Sequence, residues 1–405
     1  MCLCGKPNFK QMKYNLLELK RQVKEELTQN ILPFWSEKMI DHENGGFYGQ
    51  IKGDGQLVPA ADKGGILNAR MLWSFSAAYL QVKNPLYLEM ANRVKAYILN
   101  HFFDHEFGGT YWMISFDGKP VDTKKQIYSQ AFFIYAFTEH YRASGDESSL
   151  QTAIELFRII EKYSFDPEQN GYFEAYSRDW NLLEDLRLSE KDENEKKTMN
   201  THLHILEAYT NLYRVWKDDE LAKQLRNLIL IFTEKIVNPT TYHLDLFFDE
   251  NWNAKSTIVS YGHDIEASWL IDEAARVLGD AELLAQVQQI CIKVAEAACN
   301  NGLRADGSMV YELDKGHLET DRHWWVQSEA VIGFINAFEL TKDDEWLVKA
   351  EKCWKYISEN LVDRAGGEWF WSISEDGIPN RNDDKAGFWK CPYHNSRMCL
   401  EVMAR

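Results

Sequence analysis

The sequence predicts an all-α fold, an (α/α)6 barrel of about twelve helices in two concentric rings with short hairpins in the connecting loops. Two observations carry that prediction. A glycine-rich turn recurs at residues 41–49 (DHENGGFYG), 104–112 (DHEFGGTYW) and 166–176 (DPEQNGYFEAY), placing Gly46, Gly109 and Gly171 about 60 residues apart. Between the turns a strongly apolar helical segment alternates with one richer in Lys and Glu, as an inner ring wrapped by an outer one requires. Two helices of roughly 15 to 20 residues plus connections fill one such repeat. An open solenoid of the same units would want polar end caps and more uniform copies, so the closed ring is preferred.

In chain order, residues 17–39 are amphipathic, with Pro33 marking a kink or break. The first turn follows, then an apolar helix over 66–80 and a second helix over 84–102 that opens on Asn84-Pro85, a cap followed by a preset first helical residue. Beyond the second turn, residues 126–141 and 150–162 form the next pair. Past the third turn, residues 179–197 are polar and charged and read as a long loop over one mouth of the barrel. Helices are expected over 197–210, 218–235, 261–278 and 281–299, the last ending before Asn301-Gly302. Residues 245–251 (DLFFDEN) read as a degenerate fourth turn, and 303–311 and 363–371 as the fifth and sixth. Residues 323–340, 344–360 and 392–403 complete the helices, and one catalytic domain is expected to span 1–405.

Composition narrows the function. A net charge of -17 disfavours nucleic acid and acidic membrane surfaces as partners. No stretch reaches the roughly 20 apolar residues needed to cross a bilayer, and the opening residues lack a signal peptide's basic and apolar blocks. Seven scattered cysteines, an odd number, point to reduced thiols and a cytoplasmic location. Cys2 and Cys4 form one close pair without a second pair at zinc-site spacing. With 14 Trp in the chain, some are expected to cover flat apolar ligand faces rather than fill the core.

The chemistry-bearing residues fall on the apolar set of helices. Residues 197–210 (KTMNTHLHILEAYT) put Asn200, His204 and Glu207 on one face. His263 and Glu266 stand three apart in YGHDIEASW. There the carboxylate orients a ring nitrogen or binds a substrate hydroxyl, with a plain surface pair as the alternative. His394 follows Pro392 in FWKCPYHNSRM, with Trp389 before it and Arg397 after it. Arg70 in NARMLWSF and Glu329 in RHWWVQSEA sit among apolar neighbours, where a bare charge needs partners. Trp324 and Trp325 precede Glu329, one facing the pocket and the other packing.

Such a pocket suits a neutral polyhydroxylated ligand, aromatic faces covering C–H groups and polar side chains meeting hydroxyls. Glycoside hydrolysis would use a carboxylate pair, for which Glu266 and Glu329 are candidates. Proton transfer at carbon wants groups titrating near neutrality, and three imidazoles on separate inner helices favour it. No metal is expected: His202 and His204, two apart on a helix, diverge too far to share an ion, and HExxH or Cys-rich spacings are missing. No nucleotide-binding glycine motif appears, so no cofactor is expected.

Taken together, MNTHLHILEAYT, YGHDIEASWL, WWVQSEA, FWKCPYHNSRM and NARMLW resemble the N-acylglucosamine 2-epimerase superfamily and, within it, the cellobiose 2-epimerases. The resemblance spans about residues 17–403 and implies an (α/α)6 barrel. It implies cofactor-free, reversible epimerisation at C2 of the reducing-end glucose of β-1,4-linked disaccharides such as cellobiose, lactose or mannobiose, by a monomer. It also implies that His263 and His394 move the C2 proton and that His204 assists ring opening, with Glu266 supporting it or binding the sugar. Arg70 would hold the oxygen at C1 or C2. Asn200, Trp389 and one of Trp324 and Trp325 would bind the reducing-end sugar, and Glu329 occupies the matching motif. A cleft along residues 179–197 with Trp180 would suit a second sugar. Relatives that act on N-acetylglucosamine or isomerise aldoses to ketoses are the neighbouring alternatives; a hydrolase and a sugar-binding protein without catalysis are the more distant ones.

Overall fold

The computed structural model describes residues 9–405, with side chains from Leu16 onward; Cys2 and Cys4 lie outside the described residues. The helices are α1 (Phe9–Glu26), α2 (Gly65–Val82), α3 (Pro85–His101), α4 (Ile127–Ser144), α5 (Glu147–Tyr163), α6 (Met199–Val215), α7 (Asp219–Ile231), α8 (Tyr261–Leu278), α9 (Ala281–Gly302), α10 (Trp324–Thr341), α11 (Asp344–Tyr356) and α12 (Tyr393–Ala404). Five odd-numbered helices start on an Asn or Asp side chain that accepts an amide of the first turn, from Asn84, Asp146, Asp218, Asp280 and Asp343. These helices keep a polar outer stripe. The even-numbered ones are buried almost all round, as in α10, where every residue from Trp324 to Ala337 is buried.

That difference sorts them into rings. Helices α2, α4, α6, α8, α10 and α12 pack each on the next, and α12 returns to α2, closing the inner ring. Each is backed by an outer partner: α3 on α2, α5 on α4, α7 on α6, α9 on α8, α11 on α10 and α1 on α12. The predicted (α/α)6 barrel is therefore the observed architecture.

Short antiparallel strands stitch one end of the ring. The residues entering each inner helix pair with the hairpin of the following repeat: Lys63–Gly64 with Met113–Ile114, Lys125–Gln126 with Ala175–Tyr176, Lys197–Thr198 with Phe247–Phe248, Val259–Ser260 with Glu312–Asp314, and Arg322–His323 with Ser372–Ile373. A bridge from Ile51 to Ala386 joins last to first. Four of these entries carry a buried lysine bound to the aspartate that opens the glycine turn: Lys63–Asp41 at 2.9 Å, Lys125–Asp104 at 3.0 Å, Lys197–Asp166 at 2.8 Å, and Lys385–Asp363. The turn aspartate also accepts amides of its own turn, so one carboxylate shapes the loop and anchors the next helix.

Three local expectations are corrected. Of the kink or break expected at Pro33, the break is not seen: the helical path runs on, flanked by wide π turns at Leu27–Ile31 and Phe34–Lys38 that tolerate the missing N–H. Helix α9 continues through Asn301 to Gly302 instead of stopping before them. The fourth turn lies at residues 238–243, not 245–251: the Asn238 amide donates to His243 O just as Asp41 N does to Gly46 O. It holds no glycine, and Tyr242 takes the left-handed conformation (φ 60°) that Gly45 takes in the first copy (φ 80°). Residues 245–251 instead lead into the strand Phe247–Phe248. Among the described residues no helix is long and apolar enough to cross a membrane.

Candidate active site

The residues singled out in the sequence converge at the stitched end of the ring, on or just before the first two turns of the inner helices. There the positive ends of six helix dipoles surround one space. Asn200 and His204 come from α6, His263 and Glu266 from α8, Trp324, Trp325 and Glu329 from α10, His394 from α12, Arg70 from α2, and Trp389 from the segment before α12.

Each imidazole is fixed through Nδ1. His394 Nδ1 donates to Glu329 Oε1 at 2.7 Å, and His204 Nδ1 to Glu207 Oε2 at 2.9 Å. His263 Nδ1 has no carboxylate; it lies 2.8 Å from Ser260 Oγ. All three Nε2 atoms are left for the pocket. Trp325 spans two of the rings, its centroid 4.8 Å from His263 and 5.6 Å from His394. Trp324 packs away, against Trp371 at 4.6 Å and beneath the Lys390 ammonium at 5.1 Å. Trp325 is therefore the tryptophan of the pair that faces both histidines.

Behind the imidazoles lies one buried ionic network. Arg397 binds Glu266 Oε1 at 2.5 Å, Glu329 Oε1 at 2.7 Å, and Glu207. Tyr393 OH also donates to Glu207, and Trp269 Nε1 to Glu329 Oε2 at 3.1 Å. Both oxygens of Glu207 and of Glu329 are thus occupied by protein, whereas Glu266 Oε2 is buried with no protein partner. Burial and the nearby Glu329 carboxylate push Glu266 up to about 7. Despite burial, Arg397, followed by His204, holds Glu207 down at about 2. Burial, reinforced by His204, lowers His263 to about 3, and burial with Arg70 and Arg397 holds His394 well below the ordinary imidazole value.

Arg70 is the exception to this pairing. Its guanidinium donates to Tyr128 OH at 2.7 Å and approaches Cys391 Sγ at 3.9 Å. It lies 4.2 Å from the Phe132 ring and 4.8 Å from the Tyr393 ring. Its Nε has no protein partner and no carboxylate compensates it, so a buried cation faces the pocket ready for an oxyanion.

The mouth is lined by Asn200, Ser260, His263, Glu174, Tyr311 and Glu312, with residues 186–195 of the long loop along its rim. Asn200 Oδ1 is unpartnered there. Trp389, half-buried, meets Trp112 at 5.9 Å and Tyr128 at 6.2 Å. Trp180 does not join the cleft. It stacks on Tyr163 at 4.5 Å and donates Nε1–H to Phe107 O, so only the later part of its loop reaches the mouth. Glu266 supports neither histidine: Glu207 orients His204, and Ser260 meets His263. Sequence reasoning gave no role to Ser260, Tyr128, Tyr393 or Arg397. Glu207, three residues after His204, and Arg397, three after His394, carried a helical-face signal that was legible.

Glu266, Glu329 and His394 bring ligating atoms within 4.8 Å of one another, yet the Arg397 guanidinium already binds both carboxylates, a fixed cation where an ion would otherwise sit. The same guanidinium holds Glu266 and Glu329, the pair that glycoside hydrolysis would need free.

Comparison with known proteins shows the family. The family model for N-acylglucosamine 2-epimerase (GlcNAc 2-epimerase) matches residues 46–397. A cellobiose 2-epimerase of Bacteroides fragilis is 57% identical over 387 residues, 95% of this chain and 98% of that protein. One from Ruminococcus albus is 43% identical over 385 residues, 95% of this chain and 98% of that protein. The solved structure of a cellobiose 2-epimerase from Bacillus thermoamylovorans superposes with a TM-score of 0.92 at 44% identity, covering 96% of this chain and 100% of that one. The chain belongs to the N-acylglucosamine 2-epimerase family.

Proposed function

We propose that this protein is a cellobiose 2-epimerase. It interconverts glucose and mannose at the reducing end of β-1,4-linked disaccharides, without a cofactor, as one catalytic domain. The observation that carries the reading is the gathering at one end of the ring of three imidazoles with free Nε2 atoms and a buried arginine that has no carboxylate partner.

A cyclic sugar has no acidic C2–H, so the ring opens first. His204, oriented by Glu207, moves the proton between the C1 hydroxyl and the ring oxygen, giving the aldehyde. The carbonyl acidifies C2–H, and one of His263 and His394 takes that proton, leaving a cis-enediolate whose negative oxygen is held by Arg70. The other imidazole, entering protonated, returns a proton to the opposite face of C2, and ring closure completes the epimerisation. Burial, Arg70 and Arg397 disfavour a proton on His394 and the Glu329 carboxylate behind it favours one, while the hydroxyl behind His263 adds no charge to that ring. Trp325 and Trp389 cover the sugar faces, and Asn200 and the free oxygen of Glu266 meet hydroxyls. Proton return at C1 would give the ketose instead.

Cys291, Cys299, Cys353, Cys391 and Cys399 are all free and buried, which supports a cytoplasmic location, and a monomer suffices because one chain supplies every group named. The test is incubation with cellobiose in deuterium oxide. Glucosylmannose carrying deuterium at C2, with the glycosidic bond intact, is the expected product. Free glucose would mean hydrolysis, and an unchanged, unlabelled sugar would mean binding alone.

A further inference from the structure

We infer that Ser260 is a positioning residue for the reaction: its hydroxyl holds the His263 ring through Nδ1 without adding charge, so that Nε2 is left to take the C2 proton. The inference rests on the epimerase reading above and adds to it a group outside the catalytic set. Two independent features carry it.

The first is the contrast between the imidazoles. Glu329 and Glu207 stand behind His394 and His204, and a carboxylate can only accept, so it fixes Nδ1–H and favours the charged ring. Behind His263 stands a hydroxyl, 2.8 Å from Nδ1, which accepts when Nδ1 is protonated and adds no negative charge. His263 is thereby oriented like its counterparts and kept a neutral base.

The second is that Ser260 gives up the task its position normally has. It is the N-cap residue of α8, where a serine oxygen ordinarily accepts an amide of the first turn, yet it makes no such bond. Thr198, at the same position of α6, does cap, accepting the Thr201 amide at 3.1 Å. The Ser260 side chain is turned onto the ring of the third helical residue, His263, and it lines the mouth of the pocket.

Other groups around His263 are accounted for. The His204 imidazole on α6 and the His394 imidazole on α12 lie near it, while Glu266 on its own helix and Glu329 on α10 are both bound to Arg397. Across the mouth lie Glu174, Glu312, Lys191, Asp192, Glu193 and Glu195. None of them has a bond to Nδ1, so among the described residues the Ser260 hydroxyl is the contact that holds that side of the ring.

The experiment compares Ser260→Ala, Ser260→Thr and Ser260→Asp with the parent, following kcat, KM and the pH profile of C2 deuterium exchange. Ser260→Ala should lose about ten- to a hundredfold in kcat with KM near the parent value. Its melting temperature should stay close to the parent's, because no cap bond is lost. Ser260→Thr, keeping the hydroxyl, should recover most of the rate. Ser260→Asp, placing a carboxylate behind His263, should move the acid limb of the profile upward by about one pH unit. A kcat for Ser260→Ala within twofold of the parent, equal losses in Ala and Thr, or an unmoved limb in Asp would overturn the inference. A parent enzyme without C2 exchange would instead defeat the epimerase reading itself.

Discussion

His394 Nδ1 lies 2.7 Å from Glu329 Oε1, both groups buried. The bond does for His394 what its own helix cannot: Glu329 sits on α10, so ring orientation is set across an inter-helix contact. Glu329→Gln keeps the size but replaces an obligate acceptor with an amide that can present either end. A fall in kcat of about a hundredfold is expected, with the sugar still bound, measured by steady-state kinetics beside a ligand titration.

Removing either proposed base is the more severe test. His263→Ala and His394→Ala should each lower C2 deuterium exchange by at least about a thousandfold while circular dichroism stays that of the parent. Substantial exchange in either variant would refute the two-base assignment.

The two tryptophans should separate binding from stability. Trp325→Ala removes the ring facing both histidines and should raise KM about tenfold with a small change in melting temperature. Trp324→Ala should do the reverse, because its ring packs on Trp371 and Lys390.

Glu266 ties stability to pH. Its carboxyl is raised from 4.5 to about 7, so between those values the native state holds a proton that the unfolded state has lost. The stability this group contributes is therefore full below 4.5 and lost as pH rises through 7, about 3 kcal/mol if it acts alone. In Glu266→Gln that loss disappears. The variant's melting temperature, relative to the parent, should climb from pH 5 to pH 8 while its activity falls.

The lysine staples make an opposite prediction on the acid side. The Asn44 amide and the Lys63 ammonium outweigh burial and hold Asp41 below its ordinary value. That contribution is present above pH 3.8 and lost as pH falls through the depressed value. Lys63→Met leaves a buried, unpaired carboxylate and should cost about 3–5 kcal/mol in urea denaturation. Adding Asp41→Asn should return part of it.

The barrel was legible because its signal is periodic: the glycine turns and the alternation of apolar and charged helices repeat, and repetition survives local exceptions. The fourth turn was misplaced for the same reason, since Tyr242 and Asn238 perform there what glycine and aspartate do elsewhere. In the pocket, His204, His263, His394 and Arg70 stood out as polar groups on apolar helices. Glu207 and Glu329 stood out as well, but which histidine each serves did not. Arg397 gathers carboxylates from α6, α8 and α10, and that choice depends on which helices face each other across the ring. Ser260 was hidden because serine before a helix reads as a cap, and only the side-chain torsion reveals otherwise.

The bridge between Ile51 and Ala386, with α12 lying against both α1 and α2, leaves the array without a loose edge. A linear stack of the same helix pairs can fray from its ends, unit by unit. Here every unit has two neighbours, so the chain should melt as a single cooperative body, and the pocket should vanish all at once with it.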